Sequence, residues 1–313
     1  MKKLASLLFL GCTAAMGADI RLGIIGTDTS HVIVFTQMFN DPSRPDHVPG
    51  ARVVAAFKGG SPDIDSSWSR VDKYAEELKT KWNLEMEPDI PTLCRRVDAI
   101  LLESNDGRKH LPQARLVIAA HKPMFIDKPL ASDAGGCARN RAACPRGRSA
   151  VLQFLVGAFR RHRHGDEIPG RHGRDGLGSR TARTTPLHGP VLVRHSSDRV
   201  AVHIAGQGCE EVSRAATEGS DEIVGRWKDG RIGSVRANRP HGAQGAVVFR
   251  PHDKAVQSDS SMQEGYGPLL KEIVNFFHTG VPPVAPEETL EIMAFMDAAQ
   301  RSKEAGGKPM RLR

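Results

Sequence analysis

The sequence predicts an α/β fold: a doubly wound parallel sheet covered by helices, followed by an α+β domain with an open antiparallel sheet. Short apolar runs alternate with amphipathic segments over residues 22–129, as in parallel strands joined by right-handed crossovers. A hairpin signal lies further on, at Asp229-Gly230, where Asp-Gly readily adopts the positive φ angles of a tight turn. At 313 residues, the chain is long enough for two such domains.

The first 18 residues are predicted to be a secretory signal peptide and are left out of the domains. Lys2 and Lys3 give a positive start, residues 4–16 are mostly apolar, and small residues precede a cleavage point near Ala18. No other apolar run is long enough to cross a bilayer. We therefore expect an exported protein, periplasmic or extracellular, with no membrane span.

Residues 19–130 are predicted to form the first domain, with four main strands. Thr29 or Ser30 can cap a helix that continues to about residue 40. Apolar residues spaced three and four apart predict two further helices. Since open α/β sheets bind ligands at the carboxyl ends of their strands, the residues after each strand form the candidate site. The strands are expected at residues 22–25, 53–57, 98–102 and 124–126, and the two further helices at 70–82 and 111–120.

Residues 208–313 are predicted to form the second domain. Two strands, at residues 222–228 and 231–239, flank the Asp-Gly turn, and residues 269–277 have the apolar spacing of a helix that Gly280 ends. Glu287 and Glu288 favour the positive end of a last helix, which is expected to run through residue 303.

Residues 131–207 break both patterns. Between Asp133 and Gln207 there are 13 Arg, 5 acidic residues and no Lys, a balance of +8 that equals the net charge of the whole chain. We favour the hypothesis that this segment is translated from a shifted reading frame, which would make the product inactive. Two alternatives stay open: a basic arm that contacts nucleic acid or an anionic surface, and a divergent, disordered insertion. The arm lacks interleaved aromatic residues, so we expect no nucleic-acid partner.

No metal site is predicted. The cysteines lack the Cys-x-x-Cys spacing of a structural zinc site. His162, His164 and His172 lie in the Arg-rich segment and could bind a metal, but a solvated run is the simpler interpretation.

Two stretches, residues 20–130 and 209–312, resemble the glucose-fructose oxidoreductase, inositol dehydrogenase and MocA family, written Gfo/Idh/MocA. The resemblance is carried by Asp127-Lys128-Pro129, similar to the family's Glu-Lys-Pro, and by residues 298–302 with 306–308. It implies a Rossmann-like domain, then an open antiparallel sheet that supplies the substrate face and often an oligomer contact. It also implies an oxidoreductase that moves a hydride between NAD or NADP and a small-molecule carbohydrate, polyol or related hydroxyl compound.

The resemblance implies roles for single residues. Lys128 matches the family lysine that contacts the reacting hydroxyl and the nicotinamide ribose, and His110 resembles the histidine near the start of the helix after the third main strand. These two are the predicted catalytic residues. Asn105, Asp127 and Pro129 are predicted to line the cofactor site. A solvated loop lysine and a helix-start histidine are the structural alternatives for Lys128 and His110.

The phosphate loop departs from the family pattern. Gly26 fits the first glycine of a dinucleotide fingerprint, but Asp28 stands at the second position and His31 at the third. A carboxylate there is expected to repel a diphosphate, and the imidazole to occupy room that close helix packing needs. Thr27 and Thr29 could bind an anion or a sugar hydroxyl, or could act only as caps.

The second main strand is followed by Lys58, not by an acidic residue that could bind a ribose diol. A lysine there favours the 2′-phosphate of NADP, although a surface lysine before a Gly-Gly turn is an equal alternative. The sequence thus predicts an exported oxidoreductase with a cofactor loop of unusual composition. The alternative is a cofactor-poor, non-catalytic carbohydrate-binding relative.

Overall fold

The computed structural model describes residues 18–127, 151–153, 185–186, 205–238, 244–251, 255–257 and 265–313. The predicted signal peptide lies outside these ranges, apart from Ala18, as do Lys128, Pro129 and most of the Arg-rich segment. The predictions for Lys128, for Pro129 and for the three histidines of that segment therefore concern residues outside the described part.

The first sheet has six parallel strands in the order β3-β2-β1-β4-β5-β6. This order belongs to two mononucleotide-binding halves, and its direction reverses between β1 and β4. The predicted doubly wound fold is confirmed. The strands are β1 (Ile20–Ile25), β2 (Ala51–Phe57), β3 (Glu85–Glu87), β4 (Ala99–Leu102), β5 (Met124–Ile126) and β6 (Val151–Gln153).

Four helices follow strands of this sheet: α1 (His31–Asn40), α2 (Asp65–Trp82), α3 (Ile90–Arg96) and α4 (Gly107–Ala119). Helices α1 and α2 pack in one apolar cluster with β1 and β2, and α3 and α4 pack in another with β4 and β5. Helix α4 begins four residues before the predicted start, because the Asp106 side chain accepts a hydrogen bond from the Arg108 backbone N–H. The side chain of Asp89 caps α3 in the same way.

The second sheet has seven strands in the order β13-β8-β9-β10-β11-β12-β7. All its pairs are antiparallel except β12 with β7, which confirms the expected second sheet. The predicted hairpin joins β9 to β10, and Gly230 has the expected positive φ of +87°. The strands are β7 (Thr185–Pro186), β8 (Cys209–Ala216), β9 (Ser220–Trp227), β10 (Ile232–Asn238), β11 (Gln244–Phe249), β12 (Val256–Gln257) and β13 (Met310–Arg311).

The two helices that follow β12 in the sequence both contact the first domain. Helix α5 (Gly267–Thr279) packs against β1, β2 and α1 of the first sheet, which the division at residue 208 did not anticipate. Helix α6 (Pro286–Glu304) reaches both halves, since Met293 packs with the α3–α4 cluster while Phe295 packs on the second sheet. The apolar residues of α5 in the first core are Leu269, Leu270, Ile273, Val274 and Phe276.

Within the described ranges, no helix combines the length and the apolar character needed to span a bilayer.

Candidate active site

The candidate site lies where the strand order reverses, formed by the residues after β1, β4 and β5. The loops after β1 and β4 touch at Gly26, which has φ +87° and donates its N–H to the Phe57 carbonyl at 2.9 Å. A Cβ on Gly26 would lie 2.5 Å from Ser104 Oγ and 2.6 Å from Ser104 Cα. Only glycine fits this crossing, since the contact is partly with backbone and the φ angle disfavours other residues.

Asp28 sits at the second glycine position of the fingerprint, yet its carboxylate is fully buried. One oxygen accepts a hydrogen bond from Ser67 Oγ at 2.5 Å, and the other accepts from the Asn105 backbone N–H at 3.1 Å. The side chain therefore ties the loop after β1 to α2 and to the loop after β4. The expectation that this carboxylate faces an incoming diphosphate did not take account of these internal partners.

His31 opens α1 and meets two buried carboxylates from neighbouring strand ends. Its Nδ1 lies 2.6 Å from Asp127 Oδ2, directly after β5, and 3.8 Å from Glu103 Oε2, directly after β4. The three residues are each at most 6% exposed. Their ligand atoms lie within 4.8 Å of one another, but 2.6 Å is a charge-assisted hydrogen-bond distance. In this arrangement a hydrogen bond joins His31 to Asp127.

Aromatic rings hold the His31 imidazole in place. It stacks on Phe35 with ring centroids 5.3 Å apart, and the ring of Tyr266 meets it edge-on at 5.2 Å. Tyr266 lies directly before α5, so the C-terminal half of the chain also contributes to the site. Burial and the nearby charges of Asp127 and Glu103 raise the pKa of Tyr266 above its ordinary value.

His110 and Asn105 lie beside this cluster. His110 is fully buried in α4, and its Nε2–H donates to the Ser104 carbonyl at 2.7 Å. That bond holds the loop after β4, which favours the structural alternative, and the catalytic role of His110 stays a prediction. The Asn105 side chain donates to Ser66 Oγ at 3.0 Å.

The remaining predicted residues border the loop after β1. Thr27 is buried, and its hydroxyl contacts the carbonyls of Lys58 at 3.1 Å and Val71 at 3.0 Å. Thr29 Oγ1 is buried without a hydrogen-bond partner in the described part of the chain. Lys58 is about half exposed and forms an ion pair with Asp72. Their roles in cofactor binding stay predictions.

Sequence reasoning placed His31 and Asp127 among the cofactor residues and missed Glu103 and Tyr266. The position of Glu103, directly after a buried strand, was a usable signal. Tyr266 gave none, because nothing in the local pattern relates the start of α5 to the first sheet.

Solved structures with the same fold cover nearly the whole chain at low identity. Myo-inositol dehydrogenase from Lactobacillus casei, in complex with NAD(H) and myo-inositol, matches with a TM-score of 0.62 and 14% identity over 95% of this chain and 97% of that chain. The WlbA dehydrogenase from Bordetella pertussis, in complex with NADH and UDP-GlcNAcA, matches with a TM-score of 0.58 and 15% identity over 95% and 99%. Aldose-aldose oxidoreductase from Caulobacter crescentus, complexed with glycerol, matches with a TM-score of 0.57 and 15% identity over 94% and 100%.

No protein-family model matches the chain, and a search of curated proteins found no match either. The structural likenesses establish the fold alone, which this chain shares with these three enzymes.

Proposed function

We propose that this protein is an oxidoreductase that transfers a hydride between NAD or NADP and a carbohydrate, polyol or related hydroxyl compound. The observation that carries the proposal is the cluster of His31, Glu103 and Asp127 at the reversal point of a 3-2-1-4-5-6 sheet. Ligands of open α/β sheets bind at that point, and buried charged groups are concentrated at functional sites.

The loop after β1 fits a dinucleotide better than its composition suggests. The side chains of Asp28 and His31 are both buried, so neither covers the outer surface of the loop. Ser30 is exposed at the N-terminal end of α1, where the first backbone N–H groups of a helix lack helical partners and favour a phosphate. The backbone of residues 26–30 would hold the diphosphate. The bound cofactor supplies the hydride acceptor, and Lys58 would contact a 2′-phosphate.

A polyhydroxylated substrate is the class that two neighbours support, since the Lactobacillus casei enzyme was solved with myo-inositol and the Bordetella pertussis enzyme with UDP-GlcNAcA. Lys128 follows Asp127 in the chain and is proposed to contact the reacting hydroxyl. Export and assembly into a homo-oligomer remain part of the proposal. An exported member would need to retain its cofactor tightly, because free nicotinamide cofactor is scarce outside the cytoplasm.

The experiment is titration of the purified chain with NAD⁺ and NADP⁺, followed by Trp fluorescence or calorimetry. We expect saturable binding with a Kd below about 1 mM, the upper end of ordinary substrate constants. Lys58→Ala should weaken NADP⁺ binding and leave NAD⁺ binding unchanged, while Lys79→Ala, on the exposed surface of α2, is the matched control. If neither NAD⁺ nor NADP⁺ binds, the oxidoreductase proposal is refuted.

A binding relative that uses no cofactor is the second candidate. It is favoured by the absence of glycine at positions 28 and 31, which breaks the dinucleotide fingerprint. Calorimetry with myo-inositol and simple sugars separates the two candidates. The second candidate predicts sugar binding that cofactor leaves unchanged, whereas the first predicts tighter sugar binding when cofactor is present.

The reading-frame hypothesis for residues 131–207 also remains a proposal. It is tested by translating the coding DNA between codons 130 and 210 in all three frames. We expect an alternative frame to encode a family-like strand and helix pattern, and its absence would overturn the hypothesis.

A further inference from the structure

We infer that His31 is a proton-transfer residue of this site, with Asp127 as its orienting partner and Nε2 as the atom that exchanges the proton. This rests on the proposed oxidoreductase function, since it assigns the residue that accepts the hydroxyl proton.

The geometry fixes which nitrogen of His31 carries the proton in the neutral ring. Asp127 Oδ2 lies 2.6 Å from Nδ1, and an ionised carboxylate can only accept a hydrogen bond. Nδ1 is therefore the donor, which leaves a lone pair on Nε2. A carboxylate that holds an imidazole in one tautomer and stabilises its protonated form is the arrangement of acid–base histidines in hydrolase triads.

Nε2 of His31 is accessible. None of the described residues forms a hydrogen bond with Nε2. The atom also keeps some contact with solvent, since it is not one of the fully buried side-chain atoms that lack a hydrogen-bond partner. The ring as a whole is nearly buried, with 8% of the side chain exposed. The small exposed part of the imidazole thus includes the one nitrogen that can accept a proton.

Phe35 and Tyr266 keep that nitrogen in position. Phe35 stacks nearly parallel to the imidazole, with an angle of 12° between the planes, and Tyr266 contacts it edge-on at 65°. Contacts on two sides restrict rotation of the ring. Nδ1 therefore stays on Asp127, and Nε2 keeps a constant direction, as proton transfer to a bound substrate requires.

Among the described residues, the charged and titratable groups that face His31 come from three parts of the chain. Asp127 follows β5, Glu103 follows β4 at 3.8 Å, and the Tyr266 phenol precedes α5. When Nε2 takes up a proton, the ring gains a positive charge beside two buried carboxylates.

The proposed step conserves atoms and electrons. In the oxidative direction, the C–H bond of the alcohol carbon and its O–H bond break while the carbon–oxygen double bond forms. The hydride goes to an oxidised nicotinamide and the proton goes to His31 Nε2. The reverse reaction returns both.

The test combines a spectroscopic readout with kinetics. In ¹⁵N-labelled protein, the resonance lost in His31→Asn identifies His31, and we expect it to show the Nδ1–H tautomer. Asp127→Asn presents an amide in place of the carboxylate and should lose that preference. An Nε2–H tautomer in the unsubstituted protein would overturn the inference, whatever the result for cofactor binding.

For turnover with the sugar or polyol that the binding assay selects, His31→Asn keeps a donor for Asp127 and removes Nε2. We expect kcat to fall by about 10²–10⁴-fold, as for loss of a general acid–base group. His47→Asn, outside the site, is the control and should leave kcat unchanged. Unchanged turnover in His31→Asn would refute the proton-transfer role of His31. If the unsubstituted protein binds no cofactor, the proposed function is refuted instead, and the inference about His31 is then decided by the tautomer measurement alone.

Discussion

The crossing of the two site loops at Gly26 predicts a large, specific loss of stability in Gly26→Ala. A Cβ there would meet Ser104 Oγ at 2.5 Å, Ser104 Cα at 2.6 Å and Ser104 N at 2.7 Å. Two of these atoms belong to the backbone, so a side-chain rotation cannot relieve the contact. Overpacking of this kind costs about 1–3 kcal/mol. The φ of +87° adds about 1–2 kcal/mol for any residue with a Cβ.

Gly280→Ala is the matched control. Gly280 ends α5 with φ +69°, and no atom lies within 4 Å of the position where its Cβ would be. It should therefore lose only the φ contribution of about 1–2 kcal/mol, while Gly26→Ala should lose about 2–5 kcal/mol in total. Urea unfolding followed by far-UV circular dichroism and Trp fluorescence measures both losses. Equal losses in the two variants would refute the close approach of the loops.

Three further predictions follow from buried or paired groups. Ser67→Ala removes a donor to Asp28 and should cost about 1–3 kcal/mol in urea unfolding, whereas exposed Ser69→Ala should stay within about 0.5 kcal/mol. Burial alone would raise the pKa of Asp106, but hydrogen bonds from Arg108 and Ser61 lower it to about 2 from 3.8. Its contribution to stability is therefore present above pH 3.8 and lost as the pH falls towards 2, and unfolding curves of Asp106→Asn should show a smaller loss over that window. Burial raises the pKa of the Cys209 thiol to about 12, so iodoacetamide at neutral pH should label Cys209 only in denaturing urea, as peptide mass spectrometry can verify.

Much of the first sheet was predictable, because its central strands are short apolar runs that can be removed from water only in the core. The strand at Met124–Ile126 was predicted to the residue. Strand β3 was missed, since Glu85-Met86-Glu87 offers one apolar side chain and pairs only along the sheet edge. The early start of α2 was missed because its first turn, Asp65-Ser66-Ser67, is polar, and one of those serines is buried by its bond to Asp28.

The sequence predicted where the candidate site lies, but not which of its side chains contact one another. The dinucleotide fingerprint selected His31 and the Asp-Lys-Pro motif selected Asp127, but the two residues are 96 apart and no local pattern pairs them. The same holds for Asp28, whose replacement of a glycine was visible while its bond to Ser67, 39 residues on, was not. Side-chain pairs across a sheet edge depend on the tertiary fold, which periodicity alone does not supply.

The position of α5 has a consequence for synthesis of the chain on the ribosome. The apolar face of the first sheet is completed by Leu270, Ile273 and Phe276, which are translated long after the strands that they cover. Although domains commonly fold from the N-terminus during translation, we expect this one to complete its core only after residue 279 has emerged. A premature stop before that helix would leave the apolar face of the first sheet exposed, and such a product would be a substrate for chaperones and proteases.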